Sequence, residues 1–142
     1  MSAHSFRRTT IIQKLLPSVI NAALVFFVSL PLLEILPIYQ WKLAVIGIFF
    51  IYNLFFLIFN RNRCLGMIMC GTYWNGKVHF KNEILFIFLY TLSFSTLLFS
   101  VYIPFDIFLV NMFLLQLPTI QLTGTTLHSY LSGNKSSIIY RT

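Results

Sequence analysis

Polar positions are scarce along this chain and unevenly spread: four long stretches run almost without charge, and most of the charge falls between them. The stretches are residues 15–39 (LLPSVINAALVFFVSLPLLEILPIY), 41–59 (WKLAVIGIFFIYNLFFLIF), 84–103 (ILFIFLYTLSFSTLLFSVYI) and 107–122 (IFLVNMFLLQLPTIQL). A bilayer core of about 30 Å takes roughly 20 helical residues. The first three runs meet that length or nearly so, and the fourth is shorter and contains Pro118. The pattern predicts an all-α membrane protein of one domain over 1–142, with four transmembrane helices, a cytoplasmic loop at 60–83 and a cytoplasmic tail at 123–142. The first run is longer than a signal-peptide core of about 7–15 residues and lacks an A-x-A cleavage site, so it reads as a retained helix. Pro31 and Pro37 predict a kink or early end there. Tyr39 and Trp41 suit a headgroup interface.

Composition agrees. Of 142 residues, 58% are hydrophobic and 9% charged, against about 25% charged in a soluble domain. The net charge of +7 is segregated by the four spans. Arg7, Arg8, Lys14, Arg61, Arg63, Lys77, Lys81, Lys135 and Arg141 fall on one side and Lys42 on the other. Such a bias places both termini and the central loop in the cytoplasm of a cell (plasma or inner) membrane. It makes membrane lipids the partners of the basic residues and leaves no nucleic-acid groove.

The loop at 60–83 departs from the runs around it. TYW-NG-KVHF carries Asn75-Gly76 between β-branched and aromatic residues, a short β-hairpin signal, with Trp74 and Phe80 as interfacial anchors. Before it, CLGMIMCG is apolar yet too short to span, as in interfacial segments. Gly66 and Gly71 allow close backbone approach or a sharp exit from a helical turn. Residues 61–80 therefore read as an interfacial clamp beneath the helices.

The order of these features resembles the RDD family of small membrane proteins. The central element Leu65-Gly66-Met67-Ile68-Met69-Cys70-Gly71 is similar to the family's T-L-G-K-x-x-x-G. The C-terminal Thr126-Leu127-His128-Ser129-Tyr130-Leu131-Ser132-Gly133, followed by Ile138-Ile139, is similar to its terminal motif. The family's first helix begins R-x-x-A-x-x-x-D, and the matching positions hold Lys14, Pro17 and Asn21; its His-Asp pair is His128-Ser129, and its loop basic residue is Met67. The resemblance implies membrane transport, including proton-coupled sodium export, for members with an assigned activity. It also implies that two of the family's carboxylates are replaced here.

Lys14, Ser18 and Asn21 share one helical face, either as a remnant of the family's polar site or as a snorkelling lysine and an interhelical amide. Glu34 and Asp106 stand near the outer ends of their helices, where an acid serves as an ion site or simply reaches water; Asp106 would also cap helix four. Asp106, Asn111, Gln116 and Gln121 are spaced by five, about 140° per step, which predicts separate hydrogen bonds instead of one stripe. His128 reads as a residue holding the C-terminal segment under the bundle. Cys64 and Cys70 fit no zinc spacing, and no cofactor or catalytic set is evident, so no metal site and no enzyme is expected. Two functions stay open: a transporter or transport subunit for a small ion or solute, and a non-transporting scaffold or accessory subunit. Four short helices favour a homo-oligomer or a partner membrane protein in either case.

Overall fold

A computed structural model describes residues 6–76, 79–99, 107–133 and 137–140. The chain is mostly helical. Strand β1 (Phe6–Arg8) leads into α1 (Ile11–Ser29), which a 3-10 segment (Leu30–Glu34) extends. Next come α2 (Ile38–Asn60), the short α3 (Leu65–Met69) and β2 (Thr72–Trp74). Helix α4 (Phe80–Leu98) follows. Then α5 (Ile107–Val110), a π-helical stretch (Asn111–Gln116) and α6 (Leu117–Thr123) run on as one helix. The short α7 (Leu127–Leu131) and β3 (Ser137–Tyr140) complete the described residues.

Among the described residues, two helices are long and apolar enough to cross a membrane: Ile11–Glu34, 24 residues of mean hydropathy 2.1, and Ile38–Asn60, 23 residues of mean hydropathy 2.3. Only 22% and 17% of their apolar windows are buried within the protein, whereas the core helix of a soluble protein would be mostly covered. Ile12, Phe27, Ile35, Ile51, Ile58 and Phe59 are each more than 60% exposed, and exposed apolar surface of this kind marks a face for lipid or a partner. Helix α4 opens with Lys81, Asn82 and Glu83, which shorten its apolar part. The helix Ile107–Thr123 is shorter than either span.

Helix α1 starts four residues before the predicted run. Thr10 caps it, accepting from Gln13 N while the Gln13 side chain accepts from Thr10 N, a reciprocal cap that satisfies two orphan donors. It ends as α-helix at Ser29, earlier than residue 39, because Pro31 tightens the chain into the 3-10 turn. The buried positions step by four: Pro17, Asn21, Val25 and Ser29 on α1, and Trp41, Val45, Phe49 and Asn53 on α2. Helix α4 meets this seam with Phe86, Ile87, Tyr90, Phe94 and Leu98. The Phe49 and Phe94 rings stack at 3.9 Å. Trp41, expected at a headgroup interface, is instead a core residue whose Nε1 donates to Ser29 O at 2.9 Å.

The hairpin expected at Asn75-Gly76 would draw its second strand partly from Lys77 and Val78, which lie outside the described residues. Gly76 does adopt a positive φ of 80°, but His79 is already the N-cap of α4 and Phe80 its first residue. Strand β2 pairs instead with β3, Thr72 opposite Ile139, and β1 pairs with the other edge of β3. The antiparallel order is β1-β3-β2. Among the described residues, β3 offers a partner on both of its edges, while His79 and Phe80 already belong to the start of α4. Trp74 accordingly faces inward, donating Nε1 to Asn62 O and meeting Phe86 edge-on. The segment after 123, expected as a tail, contributes α7 and the central strand.

Candidate functional site

Helix α3 lies against α1 at the end of the bundle where α1 begins and α2 ends. It can do so because residue 66 is glycine: a Cβ there would sit 2.2 Å from Pro17 O and 2.9 Å from Asn21 Oδ1. Gly71, at φ 64°, turns the chain out of α3 into β2. Gly66 and Gly71 thus provide the close approach and the sharp exit expected of them. Asn75 and Gly76 are exposed beyond β2.

Asn21 is the hub of this contact. It is fully buried, and each hydrogen-bonding position of its amide is engaged. Oδ1 accepts from Gly66 N at 2.9 Å and from Tyr52 Oη at 2.9 Å. Nδ2 donates to Cys64 Sγ at 2.9 Å and, more weakly, to Tyr90 Oη at 3.5 Å. An amide has two acceptor sites and two donor hydrogens, so its capacity is met. Tyr52 Oη also receives Leu65 N at 3.1 Å. One side chain of α1 thereby ties α2, α3 and α4 together.

A cavity of about 50 Å³ adjoins the hub, with Lys14, Ser18, Asn21, Cys64, His128 and Ser129 among its walls. Since about 10–15 Å³ suffices for one water, the space suits a few waters or one small ion. His128 reaches it from α7, its ring stacked on Tyr90 at 5.0 Å and tilted on Phe86 at 5.1 Å. Burial holds this imidazole neutral, its pKa pushed down to about 3. Burial likewise pushes the Cys64 thiol up, against the hydrogen bond from Asn21. Gln116 Oε1 accepts from Leu127 N at 3.1 Å, which fixes the start of α7 to the α5–α6 helix.

Lys14, Asn21 and His128, chosen from separate parts of the sequence, therefore share one cavity. Glu34 stands apart, exposed at the other end of α1, and Asp106 lies outside the described residues. No carboxylate lines the cavity; Glu83, at the start of α4, accepts from Asn62 Nδ2. Among the described residues no three His, Cys, Asp or Glu side chains gather as metal ligands would. Tyr52, Cys64 and Tyr90 were not among the expected site residues. The available signal was a phenol or thiol interrupting or bordering an apolar run, which in a membrane calls for a partner.

In α5–α6, Asn111 and Gln116 make the expected interhelical hydrogen bonds, both to Ser93 Oγ on α4, but not separately. A spacing of five disperses residues around an α-helix, but Asn111–Gln116 is π-helical, with i→i+5 hydrogen bonds. Asn111 and Gln116 are consequently both buried and bonded to each other, Gln116 Nε2 to Asn111 Oδ1 at 3.3 Å. Gln121 is exposed. Compared with family models, curated proteins and solved structures, the chain matches none.

Proposed function

We propose that this chain is a four-span membrane subunit with both termini in the cytoplasm, built on an RDD-like plan, that acts as a scaffold or accessory subunit and does not carry cations by itself. The observation behind this reading is the saturated Asn21 amide. Where the resemblance has a carboxylate, a neutral group spends all its hydrogen bonds on clamping α3 to the bundle, and an amide neither ionises nor exchanges protons at these pH values. In this arrangement α4 and the α5–α6 helix are the third and fourth spans, with the three-stranded sheet, α3 and α7 on the cytoplasmic face. A homo-oligomer or a partner membrane protein covers part of the apolar surface.

The transport reading has one observation in its favour: Lys14, Asn21 and His128 line a single cavity. Reconstitution separates the two. Purified protein in liposomes should show no proton-coupled sodium or potassium flux above empty vesicles. Robust flux that Glu34→Gln abolishes would overturn the scaffold reading and make Glu34 the coupling group.

A further inference from the structure

The contact of α3 with α1 makes no use of Asn75 and Gly76. Strand β2 ends one position earlier, where Trp74 pairs with Ser137, and both residues are exposed. Among the described residues, no group hydrogen-bonds to the Asn75 amide or to the Gly76 N–H. Gly76 holds φ at 80°, and a Cβ built on it would meet nothing within 4 Å. Of the eight asparagines in the chain, only Asn75 precedes a glycine. Asn21, Asn53, Asn62 and Asn111 are buried, and Asn60 donates Nδ2 to Arg63 O at 2.8 Å.

Asparagine is a thermolabile residue, because its side-chain carbonyl carbon lies within reach of the next backbone nitrogen. A side chain on the following residue crowds that approach. A glycine leaves it open and lets the backbone rotate into it. At Asn75, water takes the Gly76 N–H proton, and the nitrogen lone pair forms a bond to Asn75 Cγ. The Cγ–Nδ2 bond breaks, and the amide nitrogen leaves as ammonia with a proton returned from water. A second water then adds to either carbonyl of the cyclic imide and opens one ring C–N bond. The product is aspartate, or isoaspartate with the backbone routed through Cβ and Cγ; nothing is oxidised or reduced. Between residues 61 and 82 the charged side chains are all cations, Arg61, Arg63, Lys77 and Lys81, so either product puts a carboxylate into an otherwise basic loop. With this loop on the cytoplasmic face, each conversion weakens its attraction to anionic headgroups. That consequence rests on the orientation proposed above; the chemistry does not.

We propose that Asn75 is a self-modification site, where the Gly76 nitrogen converts the side-chain amide to aspartate and isoaspartate and makes the loop between α2 and α4 less basic as the protein ages. The test keeps the purified full chain in lipid nanodiscs at neutral and at mildly alkaline pH. Peptide mass spectrometry follows amide loss at each asparagine, and isoaspartyl methyltransferase with a labelled methyl donor detects the isoaspartate. Expected is loss at Asn75 at least tenfold faster than at any other asparagine, and faster at the higher pH, where the attacking nitrogen gives up its proton more readily. Gly76→Ala should slow that loss at least tenfold. Should that variant fail to fold, Asn75→Gln keeps the glycine and should remove the methyl label, since the larger ring closes far more slowly. Loss at Asn75 no faster than at Asn60, an equal rate in a folded Gly76→Ala, or undiminished methyl labelling of Asn75→Gln would each overturn the proposal.

Discussion

Asn21 on α1 and Gly66 on α3 meet across 45 positions of sequence, the Oδ1 of the first accepting the backbone N–H of the second at 2.9 Å. The contact exists because residue 66 has no side chain. Its Cβ would overlap a backbone carbonyl, Pro17 O at 2.2 Å, which cannot swing aside as a side-chain tip could. Gly66→Ala should therefore push α3 off α1, at about 1–3 kcal/mol for overpacking plus about 1 kcal/mol for the hydrogen bond. Gly71→Ala meets nothing within 4 Å but keeps φ at 64°, a cost of about 1–2 kcal/mol. Thermal unfolding in detergent should rank Gly66→Ala clearly below Gly71→Ala; the reverse order would exclude the close-approach explanation.

At Asn21 itself, shape and charge can be separated. Asn21→Leu leaves Gly66 N–H buried without its acceptor, a penalty of about 1–3 kcal/mol, and should lower Tm markedly. Asn21→Asp keeps an acceptor for Gly66 N and Tyr52 Oη, while Cys64 and Tyr90 have hydrogens of their own to give. Its Tm should lie nearer the wild type than that of Asn21→Leu. If the two variants unfold together, the hydrogen bonds are not what holds α3.

His128 makes stability depend on pH. Burial depresses its pKa in the folded state to about 3, from the usual 6.5 of a histidine. Below 6.5 the unfolded chain therefore binds a proton that the folded chain does not. Stability is full above 6.5 and declines as pH falls toward 3, by up to about 1.4 kcal/mol per pH unit. Unfolding midpoints at pH 7 and pH 5 should differ, and His128→Phe should shrink that difference. An unaltered pH slope in the variant would assign the effect to another group.

Burial also decides which thiol reports topology. Cys64 is 7% exposed and would resist labelling from either side. Cys70, half-buried at the end of α3, is the usable probe. In intact cells a membrane-impermeant maleimide should label Gln40→Cys, and should reach Cys70 only after permeabilisation. Outside labelling of Cys70 would invert the proposed orientation.

How much of this was legible in the sequence depended on distance along the chain. The second apolar run, 41–59, became α2 at Ile38–Asn60, because unbroken hydrophobicity over that length has few alternatives. The glycines of the loop did what a missing side chain and a positive φ permit. The errors came from partners that lie far apart or from helix geometry. Thr72–Trp74 has strand chemistry, but no local pattern reveals that its partner is Ser137–Tyr140. Asn111 and Gln116 look dispersed at 100° per residue and converge only because the helix widens locally. Trp41 has the amphipathic character of an interface residue, and only the carbonyl at Ser29 makes it a core residue. The cavity lined by Lys14, Asn21 and His128 was approachable through the ordered motifs, since each was singled out separately; their meeting was not.

The order of strands in the sheet has a consequence for biogenesis. The two edges, β1 and β2, precede α4 in the chain, while β3, which among the described residues is their shared partner, follows every described helix. Chains emerge from the ribosome N-terminus first, so β1 and β2 appear with their backbone groups unpaired and wait through the synthesis of α4, α5–α6 and α7. The sheet is thus a latch that closes after the helices have been made, joining the start of α1 to the loop after α2 in one late step.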